Sequence, residues 1–191
     1  MKIITDRIIL SQLEISDIDI IHQYTTDYNS LTPFFTTKIK SKTFWKKRFE
    51  ESGLWDDNYG MFKIIDSADS KFSGVVWFFK PPSQHSQLDF YEVAFNIFKP
   101  DKRNKGFASE ALKVVSSYLF HTYPIQRVQS TTMLDINNNS IKKVTESTGF
   151  VYEGTIRKAT FIRGKYIDMQ LFSLLREESI ALDSIIKAIE I

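Results

Sequence analysis

The chain has no cysteine among its 191 residues. Disulfides, thiolate zinc sites and a cysteine nucleophile are thereby excluded, and a reducing compartment is the natural expectation. Long apolar stretches are also missing: no run approaches the roughly 18 residues a membrane helix requires. The opening Met1-Lys2-Ile3-Ile4-Thr5-Asp6-Arg7 puts charges where a signal peptide carries its apolar segment. A soluble, cytoplasmic protein that engages no membrane is expected. Charge of one sign is scarce too, with 25 Lys and Arg against 23 Asp and Glu, a net of +2. No large field then points to nucleic acid. The three histidines, His22, His85 and His121, lack ligand spacing, so no metal is expected.

What is present reads as an ordinary globular chain. Apolar residues make up 42% and charged residues 25%, and the 16 phenylalanines suit a sheet-containing core. The length fits one domain with a real core, not two. Ile3, Ile8, Leu10 and Leu13 predict a strand over 3–13. Ser16-Asp17-Ile18-Asp19 offers a hydroxyl cap with a carboxylate three residues on, a helix start. A second helix is predicted over about 42–52, with Phe44, Trp45, Arg48 and Phe49 on one side and Gly53 ending it. Its basic residues read as a solvated face.

Strands follow at 59–65 and 72–79, joined by a polar turn, and at 88–98 beyond the loop of Pro81 and Pro82. Ala108, Ala111, Leu112, Val115 and Leu119 recur at helical spacing. A strand over 126–134, a short helix over 138–148 stopped by Gly149, and strands near 150–158 and 166–175 around Arg163-Gly164 complete the order. Residues 179–191, with Ile180, Leu182, Ile185, Ile186 and Ile189 among charges, predict a helical tail. The fold class is α/β, a mixed sheet with a strand–loop–helix unit at its middle.

That unit carries the chemistry. A strand leads into a polar loop and a helix begins at its end, so the first-turn amides lack intrahelical partners and the dipole favours negative charge. A diphosphate can be held there by amides alone, provided side chains leave room. Gly106 and Ala108 supply clearance, Arg103 and Lys105 positive charge, and Ser109 a hydroxyl. A glycine in such a turn serves backbone geometry about as often. Neither a dinucleotide fingerprint nor a Walker loop is present.

Pro100-Asp101-Lys102-Arg103-Asn104-Lys105-Gly106-Phe107-Ala108-Ser109-Glu110-Ala111 resembles the P-x-x-R-G-K-G-[YF]-A-[ST]-E-A signature of the GNAT acetyltransferase superfamily. Within it, the RimJ/RimL type, which includes enzymes acetylating ribosomal protein N-termini, is the nearest likeness. Thr5-Asp6-Arg7-Ile8-Ile9-Leu10 resembles its T-x-R-L-x-L opening. Asn137-Asn138-Asn139-Ser140 resembles N-x-x-S, followed by Gly149-Phe150 and Glu153-Gly154. Gly164-Lys165-Tyr166-Ile167-Asp168 and Ser173-Leu174-Leu175-Arg176-Glu177-Glu178 resemble the closing strand and its end. The likeness spans about residues 3–178, and it implies one GNAT domain over 1–178 followed by the tail.

The resemblance implies a mostly antiparallel twisted sheet flanked by helices, with acetyl-CoA as co-substrate. Backbone amides of Arg103, Asn104, Lys105, Gly106, Phe107, Ala108 and Ser109 would hold the pyrophosphate. Ile97 and Phe98 would pair with the pantetheine arm as an added strand would. Asn137 would hydrogen-bond the pantetheine, and Ser140 would donate a proton to the leaving thiolate or cap its helix. Glu92 is the candidate base, although it stands one residue from the usual register, which a bulge could restore. A glutamate and a tyrosine expected from the family are here Thr160 and Phe172, neither of which is an acid or base at neutral pH. Asp168 reads as a site-orienting group or, better, a hairpin contact. Tyr24, Tyr28, Phe34, Phe35, Trp45 and Trp55 come from the segment that covers the acceptor cleft in this family.

The implied reaction is direct transfer of acetyl from acetyl-CoA to a primary amine, on a protein N-terminus or a small molecule. The alternative is a degenerate acyl-CoA sensor of the same fold. A homodimer is compatible with the likeness.

Overall fold

Alternation along the central strands decides where the two cores lie. The computed structural model describes residues 1–27, 38–81, 89–133 and 140–190, with the backbone alone at 140 and 141. Ten strands form one sheet: β1 (Lys2–Ile4), β2 (Ile8–Gln12), β3 (Trp55–Asp56), β4 (Tyr59–Asp66), β5 (Phe72–Phe79), β6 (Tyr91–Ile97), β7 (Arg127–Met133), β8 (Val151–Ile162), β9 (Lys165–Leu175) and β10 (Ala188–Glu190). Their order across the sheet is β10, β1, β2, β4, β5, β6, β7, β9, β8, with β3 beside β4. Among the described residues every pairing is antiparallel except β6 with β7.

The helices α1 (Asp17–Thr26), α2 (Lys42–Ser52), α3 (Phe107–Thr122) and α4 (Ser140–Ser147) cover the sheet. Phe62, Ile64, Val76, Phe78, Tyr91 and Val93 point to one face, where Ala111, Leu112, Val115 and Leu119 of α3 close the larger core. The alternate residues Met61 and Val75 meet Ile18 and Ile21 of α1 on the other face, with Trp45 and Phe49 of α2 packed against them. A period of two on the strands and of 3.6 on the helices thus yields a three-layer fold.

Several expectations change. The segment over 3–13 is two strands, because Thr5 turns the chain: its amide donates to the Ile8 carbonyl and its hydroxyl oxygen accepts from the Ile8 amide. Ser16 takes a helical conformation and makes no cap; the Asp17 carboxylate instead accepts from the Glu14 amide at 2.8 Å and from Lys63 at 2.9 Å. Gly53 does end α2, in a left-handed conformation with φ 63°. The tail is not a helix. A 3-10 turn at Leu182–Ser184 leads to β10, which pairs with β1 in the register Ile3↔Ile189. The isoleucine spacing that suggested a helix serves an edge strand and a buried Leu182 instead. The sheet therefore extends past residue 178, the predicted domain end.

Candidate active site

The loop before α3 is built from the bottom by ion pairs. Pro100–Lys102 makes one 3-10 turn, and Lys102 is buried. Its ammonium donates to Asp66 at 2.5 Å and to Asp69 at 2.8 Å, tying the loop to the β4–β5 turn. These hydrogen bonds hold Lys102 above the ordinary lysine range. Lys102 in turn lowers Asp66, and it lowers Asp69 to about 2. All three groups stay charged at neutral pH.

Arg103 faces the strand it follows. Its Nε donates to the Ile97 carbonyl and its Nη2 to the Phe98 carbonyl, each at 3.1 Å. The guanidinium therefore braces the loop against the end of β6 and leaves its positive charge there.

Beyond Arg103 the backbone opens. Asn104 (φ 59°) and Gly106 (φ 83°) both take left-handed conformations. The Arg103 amide bonds to the Pro100 carbonyl and the Glu110 amide to Gly106. Among the described residues, no carbonyl accepts from the amides of 104–109 between them. Successive unpaired N–H groups at a helix start, with left-handed residues among them, form a concavity suited to an anion. The Ser109 hydroxyl accepts from Ser147 of α4 at 3.3 Å, which joins the two helices beside this turn.

The second element is the gap in the sheet. β6 and β7 pair only at Tyr91↔Val128 and Glu92↔Gln129, and beyond these pairs the two strands part. The Phe98 amide bonds to Ser73 of β5, so by alternation the main-chain groups of Phe95 and Ile97 face the gap. Phe98 itself has both its amide and its carbonyl engaged, and the Ile97 carbonyl holds Arg103. An added strand can thus use the Ile97 amide and Phe95, but no main-chain group of Phe98. The phenyl ring of Phe98 stacks on Tyr24 at 4.9 Å instead.

Glu92 points away from Tyr91 and Val93, hence toward the α1–α2 face. Its carboxylate accepts the Thr131 hydroxyl and the Gln129 amide, the latter at 3.4 Å. The β5–β6 ladder runs through Phe79↔Glu92 without a register shift, so no bulge moves this residue. Ser140 begins α4, on the far side of the gap. Asn137, Tyr28, Phe34, Phe35 and His85 lie outside the described residues.

The two departures from the family pattern are placed clearly. Phe172 is fully buried against Tyr152 in the larger core, and Thr160 pairs with Ile167 on the outer strand β8. Asp168 is a hairpin contact, accepting the Lys158 amide at 2.8 Å where β8 bulges. Trp55 packs on Phe62 and Phe78 in the α3-side core, away from α1 and α2. No group of side chains that could hold a metal occurs among the described residues, and no helix there is long and apolar enough to cross a membrane.

Unpaired amides at a helix start, beside two parallel strands that part, fit an extended substrate with a phosphate at one end. The acetyltransferase (GNAT) domain family matches residues 7–151. The SPbeta prophage-derived uncharacterized N-acetyltransferase YokL of Bacillus subtilis is 32% identical over 132 residues, covering 69% of this chain and 70% of that protein. A spermidine N-acetyltransferase from Vibrio cholerae, solved with CoA and spermine, superposes with TM-score 0.74 at 22% identity over 90% of this chain and 96% of that one. A ribosomal-protein-S5-alanine acetyltransferase from Vibrio fischeri gives TM-score 0.75 at 19% identity over 93% and 97%. The chain belongs to the GNAT acetyltransferase family. Its activity is transfer of acetyl from acetyl-CoA to an amine.

Sequence reasoning missed the groups that hold the loop in place: Lys102 with Asp66 and Asp69, and Glu110 with Thr5 and Arg7. Thr5, Arg7 and Glu110 all belong to the segments that resemble the family motifs. Only the crossing of the β1–β2 turn over α3 brings residues 103 positions apart into contact.

Proposed function

We propose that this protein acetylates a small or peptide-terminal primary amine in the cytoplasm, by direct attack on acetyl-CoA in a ternary complex. The observation that carries the reading is the run of unpaired amides at 104–109 beside the parting strands β6 and β7. These amides take the diphosphate, and the Ile97 amide with Phe95 takes the pantetheine arm as an added strand. Asn137 adds a hydrogen bond to that arm.

Glu92 lies on the α1–α2 face, where the acceptor enters, and it takes the amine proton directly or through one water. Thr131 and Gln129 fix its carboxylate while leaving further lone pairs open. The amine nitrogen then bonds to the thioester carbon and the C–S bond breaks. The nitrogen sheds its second proton, and Ser140 relays it, through water, to the leaving thiolate. Neither Thr160 nor Phe172 takes part.

The RimJ/RimL type is supported by the fold-level likeness to the Vibrio fischeri enzyme, and a polyamine acceptor by that to the Vibrio cholerae enzyme. Free-thiol release measured over N-terminal peptides, polyamines and amino-sugar antibiotics separates them. Gly106→Glu is expected to abolish CoA binding, since it blocks and repels the diphosphate. Unchanged CoA affinity in that variant by calorimetry would refute the loop assignment.

A further inference from the structure

Glu110 poses an electrostatic problem. It stands in the first turn of α3, the helix end whose free amides are the proposed diphosphate site, and a carboxylate there competes with an anionic ligand for the same positive potential. The β1–β2 turn answers it. Glu110 accepts the Thr5 hydroxyl and the Arg7 amide, the latter at 3.2 Å, and its second oxygen lies 3.5 Å from Arg7 Nε. The side chain of Glu110 is 15% exposed, whereas that of Arg7 is 61% exposed. Arg7 also reaches across the loop. A Cβ built on Gly106 would fall 2.3 Å from Arg7 Nη1, so the guanidinium lies directly against that glycine.

We propose that Arg7 is a positioning residue for the co-substrate diphosphate. It neutralises Glu110 on one edge and presents its outer N–H groups beside the amides of 104–109 on the other. Arg103 turns the other way: two of its five N–H groups donate to the carbonyls of Ile97 and Phe98 at the end of β6. Gly106 then has two reasons to lack a side chain: its left-handed backbone, and the space the Arg7 guanidinium occupies. The inference rests on the loop reading above.

Calorimetry with CoA tests it without knowledge of the acceptor. Arg7→Met is expected to weaken CoA about tenfold at low salt, the scale of one charge-assisted contact. It should also flatten the dependence of affinity on salt. Dephospho-CoA, which keeps the diphosphate, should lose the same factor. Arg7→Lys should stay within about threefold of the wild type, and Glu110→Gln added to Arg7→Met should recover part of the loss.

Unchanged CoA affinity in Arg7→Met would overturn the proposal. So would a loss confined to CoA and absent with dephospho-CoA, which would assign Arg7 to the 3′-phosphate. A loss with an unchanged salt slope and no recovery in the double variant would make Arg7 merely structural. Should Arg7→Met fail to fold, the salt slope and affinity of Arg7→Lys decide alone. If Gly106→Glu abolishes binding while Arg7→Met does not weaken it, this inference fails and the loop reading stands.

Discussion

Gly74 offers a way to disturb the site from behind. It lies on β5 opposite Ile97, and a Cβ built there would sit 2.2 Å from the Asn96 carbonyl oxygen and 3.0 Å from Ile97 Cα. Both neighbours are backbone, so no rotamer change relieves the overlap. The strands must separate by about 1 Å to restore van der Waals contact. Such overpacking costs about 2 kcal/mol, equivalent to a fall in Tm of about 4–8 °C for a chain of this size. The displaced segment carries the Ile97 and Phe98 carbonyls that hold Arg103, so the start of α3 should shift with it. Gly74→Ala is therefore expected to lower urea stability and to weaken CoA severalfold. Gly53→Ala is the control: its Cβ meets nothing within 4 Å, and its φ of 63° costs about 1 kcal/mol far from the loop. Full stability in Gly74→Ala, or an equal loss of CoA affinity in Gly53→Ala, would refute the reasoning.

Acid should loosen the outer strands. The Arg127 guanidinium, with the Ser173 hydroxyl, lowers Glu153 from 4.5 to about 2. A carboxylate depressed in the folded state stabilises above its unfolded value and loses that contribution as pH falls, here between about 4.5 and 2. Urea midpoints measured across this window should fall less steeply in Glu153→Gln than in the wild type. Turnover separates the two proposed catalytic groups from binding. Both Glu92→Gln and Ser140→Ala should lower kcat by about a hundredfold while CoA affinity by calorimetry stays within about twofold. Unchanged kcat in either variant would return that residue to a structural role.

Much of the fold was legible because it rests on local rules. The strand alternation of β4 and β5, the 3.6-residue pattern of α3 and the glycine stop of α2 appear where the periodicity places them. The misreadings came where one pattern suits two structures. Thr5-Asp6-Arg7 interrupts what looked like one strand, because a threonine hydroxyl can close a turn within a β-rich segment. The tail isoleucines satisfy helical spacing, yet Ile189 pairs with Ile3 of β1 in an edge strand, a choice that depends on a partner at the other end of the chain. Glu92 shows the same limit. Its distance from the usual register suggested a bulge, whereas the unbroken β5–β6 ladder leaves it on the α1–α2 face by parity alone.

The sequence by itself determined the donor. A short run of residues at a strand–helix junction can present free amides to a diphosphate, and that property is local in the chain. Tertiary structure alone decided how each charge in that run is used. Arg103 was drawn back onto β6, Phe98 lost its main-chain groups to β5 and Arg103, and Arg7 was carried over Gly106 to meet Glu110. The physical reason is that a side chain's partner is set by proximity in space, and charges distant in sequence become neighbours only when the sheet and α3 pack together.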